Sequence, residues 1–123
     1  MIKFDHHRRV PKMWGDLFIL NKIGDYTVSL NIYKTGQHGA LQKHEQKYEC
    51  HYVLEGTGRV WEGKENYFTL HATDLSPGMC IEIEPGTVHK IQAFSELKII
   101  ELSYTPIPND RVNCEEEFRN SIG

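Results

Sequence analysis

Turn-forming residues punctuate this chain at intervals of roughly eight to twelve residues, and short β-prone runs fill the gaps between them. That rhythm points to a small all-β sandwich or barrel. The runs are DLFILNK, YTVSLNIYK, ALQKHE, YECHYVLEG, GRVWEG, YFTLHA, CIEIEPG, TVHKIQAF and LKIIELSY. In YTVSLNIYK the residues alternate: Tyr26, Val28, Leu30 and Ile32 fall on one side, Thr27, Ser29, Asn31 and Tyr33 on the other. Gly24-Asp25, GQHG, KEN and TDLSPGM read as turns or loops. The first dozen residues read as a polar arm. The prolines of TPIPND end the β region, because proline cannot donate to a ladder. The short segment CEEEFRNSI is the one helix candidate.

With 123 residues the chain has room for a single domain, 1–123, its core expected over about 14–106. Its 14 basic and 17 acidic residues leave a formal charge of -3, which gives no case for a nucleic-acid patch. No apolar run is long enough to span a bilayer, so no membrane association is expected. MIKFDHHRRVPK has no apolar stretch behind its charges and does not read as a signal peptide. Cys50, Cys80 and Cys114 are odd in number and lack zinc-ribbon spacing. They read as reduced, structural thiols of a cytoplasmic protein.

The chemistry concentrates in GQHGALQKHEQKYECHYVLEGTG. Gln42 and His44 are two apart and share a strand face. Glu49 follows a tight connection and shares its face with His51 and Val53. His89 opens a strand after a Pro-Gly turn, where a side chain can be aimed into a barrel mouth. Gln42, His44, Glu49 and His89 together offer two imidazoles, an amide oxygen and a carboxylate. That mixed set suits one divalent ion: zinc first, with manganese, iron, cobalt and nickel also suited. Gln46 is a rival to Gln42 by residue type and strand parity.

These spacings resemble the cupin superfamily. Its first motif runs Gly, five residues, His-x-His, three or four residues, Glu, six residues, Gly; here Gly36, Gln42-x-His44, Glu49 and Gly56 stand in that register. Its second motif is met by Gly78, Glu84-Pro85-Gly86 and His89. Gln42 replaces the first histidine, Glu84 the proline and Ala93 the asparagine. The chain is similar in particular to cupins of the mannose-6-phosphate isomerase type, including those linked to guanylyltransferases. The residues carrying that likeness are Lys12-Met13-Trp14-Gly15, LQKHEQKYECHYVLEGTGRV and PGTVH. The resemblance excludes Gln46, implies a double-stranded β-helix, the cupin jelly-roll barrel, and implies a homodimer. Asn113 stands where these relatives carry an arginine, which leaves Arg111 or Arg119 to grip a phosphate.

The resemblance implies a metal-binding protein of carbohydrate metabolism, a sugar or sugar-phosphate isomerase. A small-molecule-binding cupin without turnover is the alternative, and a metal-dependent dioxygenase a third. His51 is the candidate base for moving a proton between adjacent carbons, with a hydrogen-bonded lining residue as its simpler role. Trp14 is a candidate pocket wall, with core packing or a dimer contact as its other roles. Lys34, Arg59 and Lys90 are candidates for contact with an anionic substrate. His6, His7, His38 and His71 are expected to be solvated or structural.

Overall fold

The computed structural model describes residues 1–63 and 70–115. In chain order the strands are β1 (Arg8–Lys12), β2 (Gly15–Ile23), β3 (Tyr26–Tyr33), β4 (Gln42–Lys43), β5 (Tyr48–Glu55) and β6 (Gly58–Gly63). They continue with β7 (His71–Leu75), β8 (Cys80–Ile83), β9 (Val88–Ala93), β10 (Leu97–Tyr104) and β11 (Val112–Asn113). They form a six-stranded sheet in the order β1-β2-β3-β10-β5-β8 and a five-stranded sheet in the order β11-β4-β9-β6-β7. Every pairing is antiparallel. The two sheets face each other as the expected jelly roll.

The side chains between the sheets change character along each strand. On β10 the inward positions run Leu97, Ile99, Glu101, Ser103, all buried. On β5, Val53 precedes the polar positions when the strand is read backwards to His51 and Glu49; on β3, Tyr33 precedes Asn31 and Ser29. On β9 the sequence is Ala93, Ile91, His89. One end of the barrel is therefore an apolar plug of Tyr33, Val53, Val60, Leu75, Ile91, Ala93, Leu97 and Ile99. The other end is lined with polar groups. Burial of the plug drives closure of the barrel, at about 1.5–3 kcal/mol for each fully buried large apolar side chain.

The turn after β5 depends on glycine. Gly56 has φ 92°, and a Cβ there would lie 2.0 Å from the Glu96 carbonyl oxygen. Only glycine permits both that approach and that backbone conformation.

Several local expectations are corrected. The N-terminal arm is exposed and outside any strand over residues 1–7, but its last part, Arg8–Lys12, forms β1, which pairs with β2 of its own chain from Arg8↔Ile19 to Lys12↔Gly15. TDLSPGM is not all turn: Thr73, Asp74 and Leu75 belong to β7, and Leu75 enters the plug. Strand pairing also resumes after TPIPND, where Val112 and Asn113 pair with Lys43 and Gln42. The cysteines are free thiols as expected, with the Cys50 and Cys80 sulfurs 3.1 Å apart. The KEN turn, the start of YFTLHA and the helix candidate beyond Glu115 lie outside the described residues.

Candidate metal centre

Strand register and the packing of one sheet on the other bring the four proposed ligands to one cavity. Gln42 on β4 is paired directly with His89 on β9. His44 follows β4 at the same parity as Gln42, and Glu49 comes in on β5 from the opposite sheet. Gln42, His44, Glu49 and His89 all line one cavity of about 680 Å³. The ligating atoms of His44, Glu49 and His89 lie within 4.8 Å of one another, and all three residues are buried.

Each imidazole is fixed by a hydrogen bond on its far side. His44 Nδ1 donates to the Asp110 carbonyl at 2.5 Å, and His89 Nδ1 donates to the Thr87 carbonyl at 3.0 Å. A carbonyl can only accept, so Nδ1 carries the proton and Nε2 faces the cavity. His89 Nε2 is 3.2 Å and His44 Nε2 3.6 Å from Glu49 Oε2. Ligand atoms bound at about 2.1 Å around a tetrahedral ion stand about 3.4 Å apart, between those two values. His44 Nε2 and Glu49 Oε2 are fully buried and make no hydrogen bond. Orphaned buried polar atoms are costly. A shared cation would satisfy both, so the donor set fits a metal.

Electrostatics keep the donors in ligating form. Burial holds the His44 imidazole below its ordinary pKa, against the opposing pull of the Glu49 carboxylate. Burial works to raise the Glu49 pKa, but His51 and His89 outweigh it and hold the carboxyl well below its usual range. The imidazole thus favours its neutral form and the carboxyl its ionised form.

A second group, Glu49, His51 and Glu101, adjoins the first and shares Glu49 with it. His51 Nε2 is 3.7 Å from Glu49 Oε2 and 3.8 Å from Glu101 Oε1, and neither ring nitrogen makes a hydrogen bond. Lys47 Nζ reaches Glu49 Oε1 at 3.4 Å and Glu101 Oε2 at 3.8 Å. Behind Glu101, Asn31 Nδ2 donates to its Oε1 at 2.9 Å, and Ser29 Oγ donates to Asn31 Oδ1 at 3.0 Å. Burial pushes the Glu101 pKa up; His51 opposes this and the Glu49 charge adds to it. For His51, burial acts downward, yet the Glu101 and Glu49 carboxylates win and raise it.

The structure distributes the remaining candidates unevenly. Trp14 lines the cavity and stacks on Tyr33 with ring centroids 4.1 Å apart. Lys34 is exposed and, like Arg59 and Lys90, is not among the residues lining the cavity. Arg59 instead pairs with Asp74 at 2.7 Å and lies over the rings of Trp61 and Phe94. Lys90 is paired opposite Trp61, one residue out of phase with the inward His89 and Ile91. The basic groups that do line the cavity are Lys12, Lys47 and Arg111. Gln46, the rival ligand, is exposed and outside the lining.

Sequence reasoning missed Glu101, Lys47 and Asp110. Glu101 carried a signal, an acid at an inward position of the alternating run LKIIELSY. Asp110 carried none. Its carboxylate accepts backbone hydrogen bonds from Glu45, Gln46 and Lys47 at 2.7, 2.8 and 2.9 Å, more than sixty residues away in the chain.

The sequence matches the Cupin domain family over residues 30–102, more than half the chain. The chain is a cupin. This cupin is 28% identical over 102 residues to the mannose-1-phosphate guanylyltransferase RfbM of Salmonella typhimurium, covering 81% of the chain but 20% of that relative. Its fold matches the capsular polysaccharide assembling protein CapF of Staphylococcus aureus with a TM-score of 0.78 at 22% identity, over 87% of this chain and 31% of CapF. A cupin-2 domain of Rhodospirillum rubrum matches with a TM-score of 0.76 at 12% identity, over 98% of this chain and 84% of that one. The cupin thus spans about a fifth of the curated relative. No helix among the described residues is long and apolar enough to cross a membrane.

Proposed function

We propose that this cupin holds one divalent ion, zinc in the first instance, on Gln42, His44, Glu49 and His89, and acts as a sugar or sugar-phosphate isomerase. The observation that carries the reading is the buried His51–Glu101 pair beside the ligand Glu49, with both His51 nitrogens free of hydrogen bonds. A bound divalent ion would supply Lewis-acid polarisation of a substrate carbonyl. His51 would take a proton from the carbon beside that carbonyl and return it to the neighbouring carbon. Glu101 keeps His51 oriented and sets its proton affinity. Trp14, stacked on Tyr33, offers a flat wall for a sugar ring. Lys47, Lys12 and Arg111 offer positive charge to an anionic substituent; Arg111 takes the place of the arginine that Asn113 displaces. The similarity to a mannose-1-phosphate guanylyltransferase supports a sugar-related ligand. A cytoplasmic location and a homodimer belong to the same proposal.

One observation favours a second reading, sugar binding without turnover. Asn113 is exposed on β11 and cannot supply the fork-like grip of an arginine. The two readings separate in one experiment. The protein, with zinc content measured by mass spectrometry, is incubated with mannose 6-phosphate in heavy water and followed by NMR. Exchange of the C2 proton supports isomerisation. Saturable binding without exchange, across phosphosugars and free sugars, supports the binding protein. Failure to take up any divalent metal would overturn the ligand assignment itself.

A further inference from the structure

Cys50 and Cys80 meet on the outer face of the six-stranded sheet. On β5 the neighbours Glu49 and His51 are buried inside, so Cys50 points out. On β8 Ile83 is buried and Ile81 packs on the apolar plug, so Cys80 and Glu82 point out. Register pairs Cys50 with Glu82 and Tyr52 with Cys80. The two cysteines are therefore diagonal neighbours, 30 residues apart in the chain. Diagonal side chains on one face of a sheet come within reach of each other, and here the sulfurs are in contact at 3.1 Å. A disulfide bond is about 2.05 Å long, so closing it takes a movement of about 1 Å. β8 is the last strand of its sheet, paired there with β5 alone, and such an edge can supply that movement.

The third cysteine is the internal control. Cys114 is fully buried, and its Sγ donates to the Val112 carbonyl at 3.6 Å. That is the setting of an inert structural thiol. Cys80 is exposed and Cys50 half-buried, and neither belongs to the plug. Packing therefore does not explain two thiols in contact at an accessible sheet edge.

We propose that Cys50 and Cys80 form a reversible thiol–disulfide site, oxidised by a low-molecular-weight disulfide, that staples the edge strand β8 to the strand carrying Glu49 and His51. The chemistry is thiol–disulfide exchange in two steps. The Cys80 thiolate attacks the reagent disulfide, forms a mixed disulfide and expels one thiolate. Cys50 then gives up its proton and attacks the Cys80 sulfur, which closes the Cys50–Cys80 bond and expels the second thiolate. Two protein thiols lose two electrons and two protons, and one reagent disulfide becomes two thiols. Environment sets the order of attack. Contact with the Cys80 sulfur pushes the Cys50 thiol up to about 11, and burial adds to the shift. Cys50 is a poor first nucleophile for that reason, and the contact that holds its proton ends once Cys80 is capped. An exposed disulfide is also the labile kind, which makes the staple reversible. The inference does not rest on metal binding or turnover.

The test is incubation of the full chain with oxidised glutathione at about pH 8, near the ordinary thiol pKa, read by intact mass, thiol count and peptide mapping. Wild type should lose two hydrogens in mass, fall from three titratable thiols to one, and yield a linked Cys50–Cys80 peptide. Dithiothreitol should restore all three thiols. Cys50→Ser should stop at one glutathione adduct on Cys80, because the thiol that resolves it is gone. Thermal denaturation gives a second readout. Oxidation should raise the midpoint of wild type by roughly 5–15 °C, as closing a loop of this length requires, and leave that of Cys50→Ser in place. A wild type that keeps three thiols, that accumulates glutathione on Cys80 without closing, or that links only between chains overturns the proposal. So does a midpoint that fails to rise in the closed form, since the bond would then distort the sheet and not staple it.

Discussion

His44 and Asp110 are joined twice: His44 Nδ1 donates to the Asp110 carbonyl, and the Asp110 carboxylate accepts from the three N–H groups that follow His44. One residue near the end of the chain thus fixes both the ring orientation of a metal ligand and the spacer leading to Glu49. Removal of such support typically costs metal sites ten- to a hundredfold in affinity. Asp110→Asn should weaken zinc binding by about that factor. It should destabilise the fold by about 1–3 kcal/mol, because three part-buried backbone donors lose a charged acceptor.

The same residue predicts a pH dependence. Burial acts to raise the Asp110 pKa, but the three backbone donors prevail and lower it. A depressed carboxyl contributes its full stability above the unfolded-state value of about 3.9 and loses it as pH falls through the lower folded value. The stability gap between wild type and Asp110→Asn should be constant from neutrality to about pH 5 and shrink below pH 4. Denaturant titration across that range measures it. A gap that widened in acid would contradict the assignment.

The ligand set makes its own prediction. His44→Ala and His89→Ala should each abolish stoichiometric zinc binding in calorimetry, because each removes one of two imidazoles from a buried site. Gln42→Ala should weaken binding without abolishing it, since a neutral amide oxygen is the poorest donor of the four. Gln46→Ala should bind as wild type does. Loss of zinc in Gln46→Ala would place the wrong glutamine in the site.

The barrel's strand phase was legible, because alternation with period two is a local property of YTVSLNIYK, CIEIEPG and LKIIELSY. Which phase faced inward was not. In YTVSLNIYK the apolar side is the outer one, and the hydrophobic pattern records the outer face as strongly as the inner. That Gln42, His44, Glu49 and His89 converge on one cavity was legible because motif spacing fixes their strand positions. Asp110 was not, since no local pattern links it to residues 45–47. The basic residues were misplaced for a related reason: parity puts Arg59 and Lys90 on the outer face, while Lys47 reaches inward from a connection with no strand phase to read.

The plug sets the mechanical base of the site. Ile99 is fully buried and two residues before Glu101 on the same inward face. Ile99→Ala should cost about 2–5 kcal/mol, and Ile99→Val about 0.5–1.5 kcal/mol. Thermal denaturation of the two variants checks the order. Equal losses would mean that the cavity left by alanine collapses, and that the plug is less tightly packed than its burial indicates.

Glu101 distinguishes catalysis from binding most directly. It touches no proposed ligand nitrogen, yet it stands 3.8 Å from His51 and is held by Asn31. Glu101→Gln keeps the shape and the contact with Asn31 but removes the carboxylate that raises the His51 pKa. If His51 is the base, Glu101→Gln should retain zinc and sugar affinity while C2 proton exchange falls by less than the about 10²–10⁴-fold that a general base itself is worth. Its pH–rate profile should also shift to lower pH, because His51 would then lose its proton more easily. His51→Asn should abolish exchange with zinc retained. If both variants exchange at the wild-type rate, His51 and Glu101 are structural lining and the proton is moved by another group. If zinc is lost from Glu101→Gln, the carboxylate belongs to the metal centre and the proposed division of roles fails.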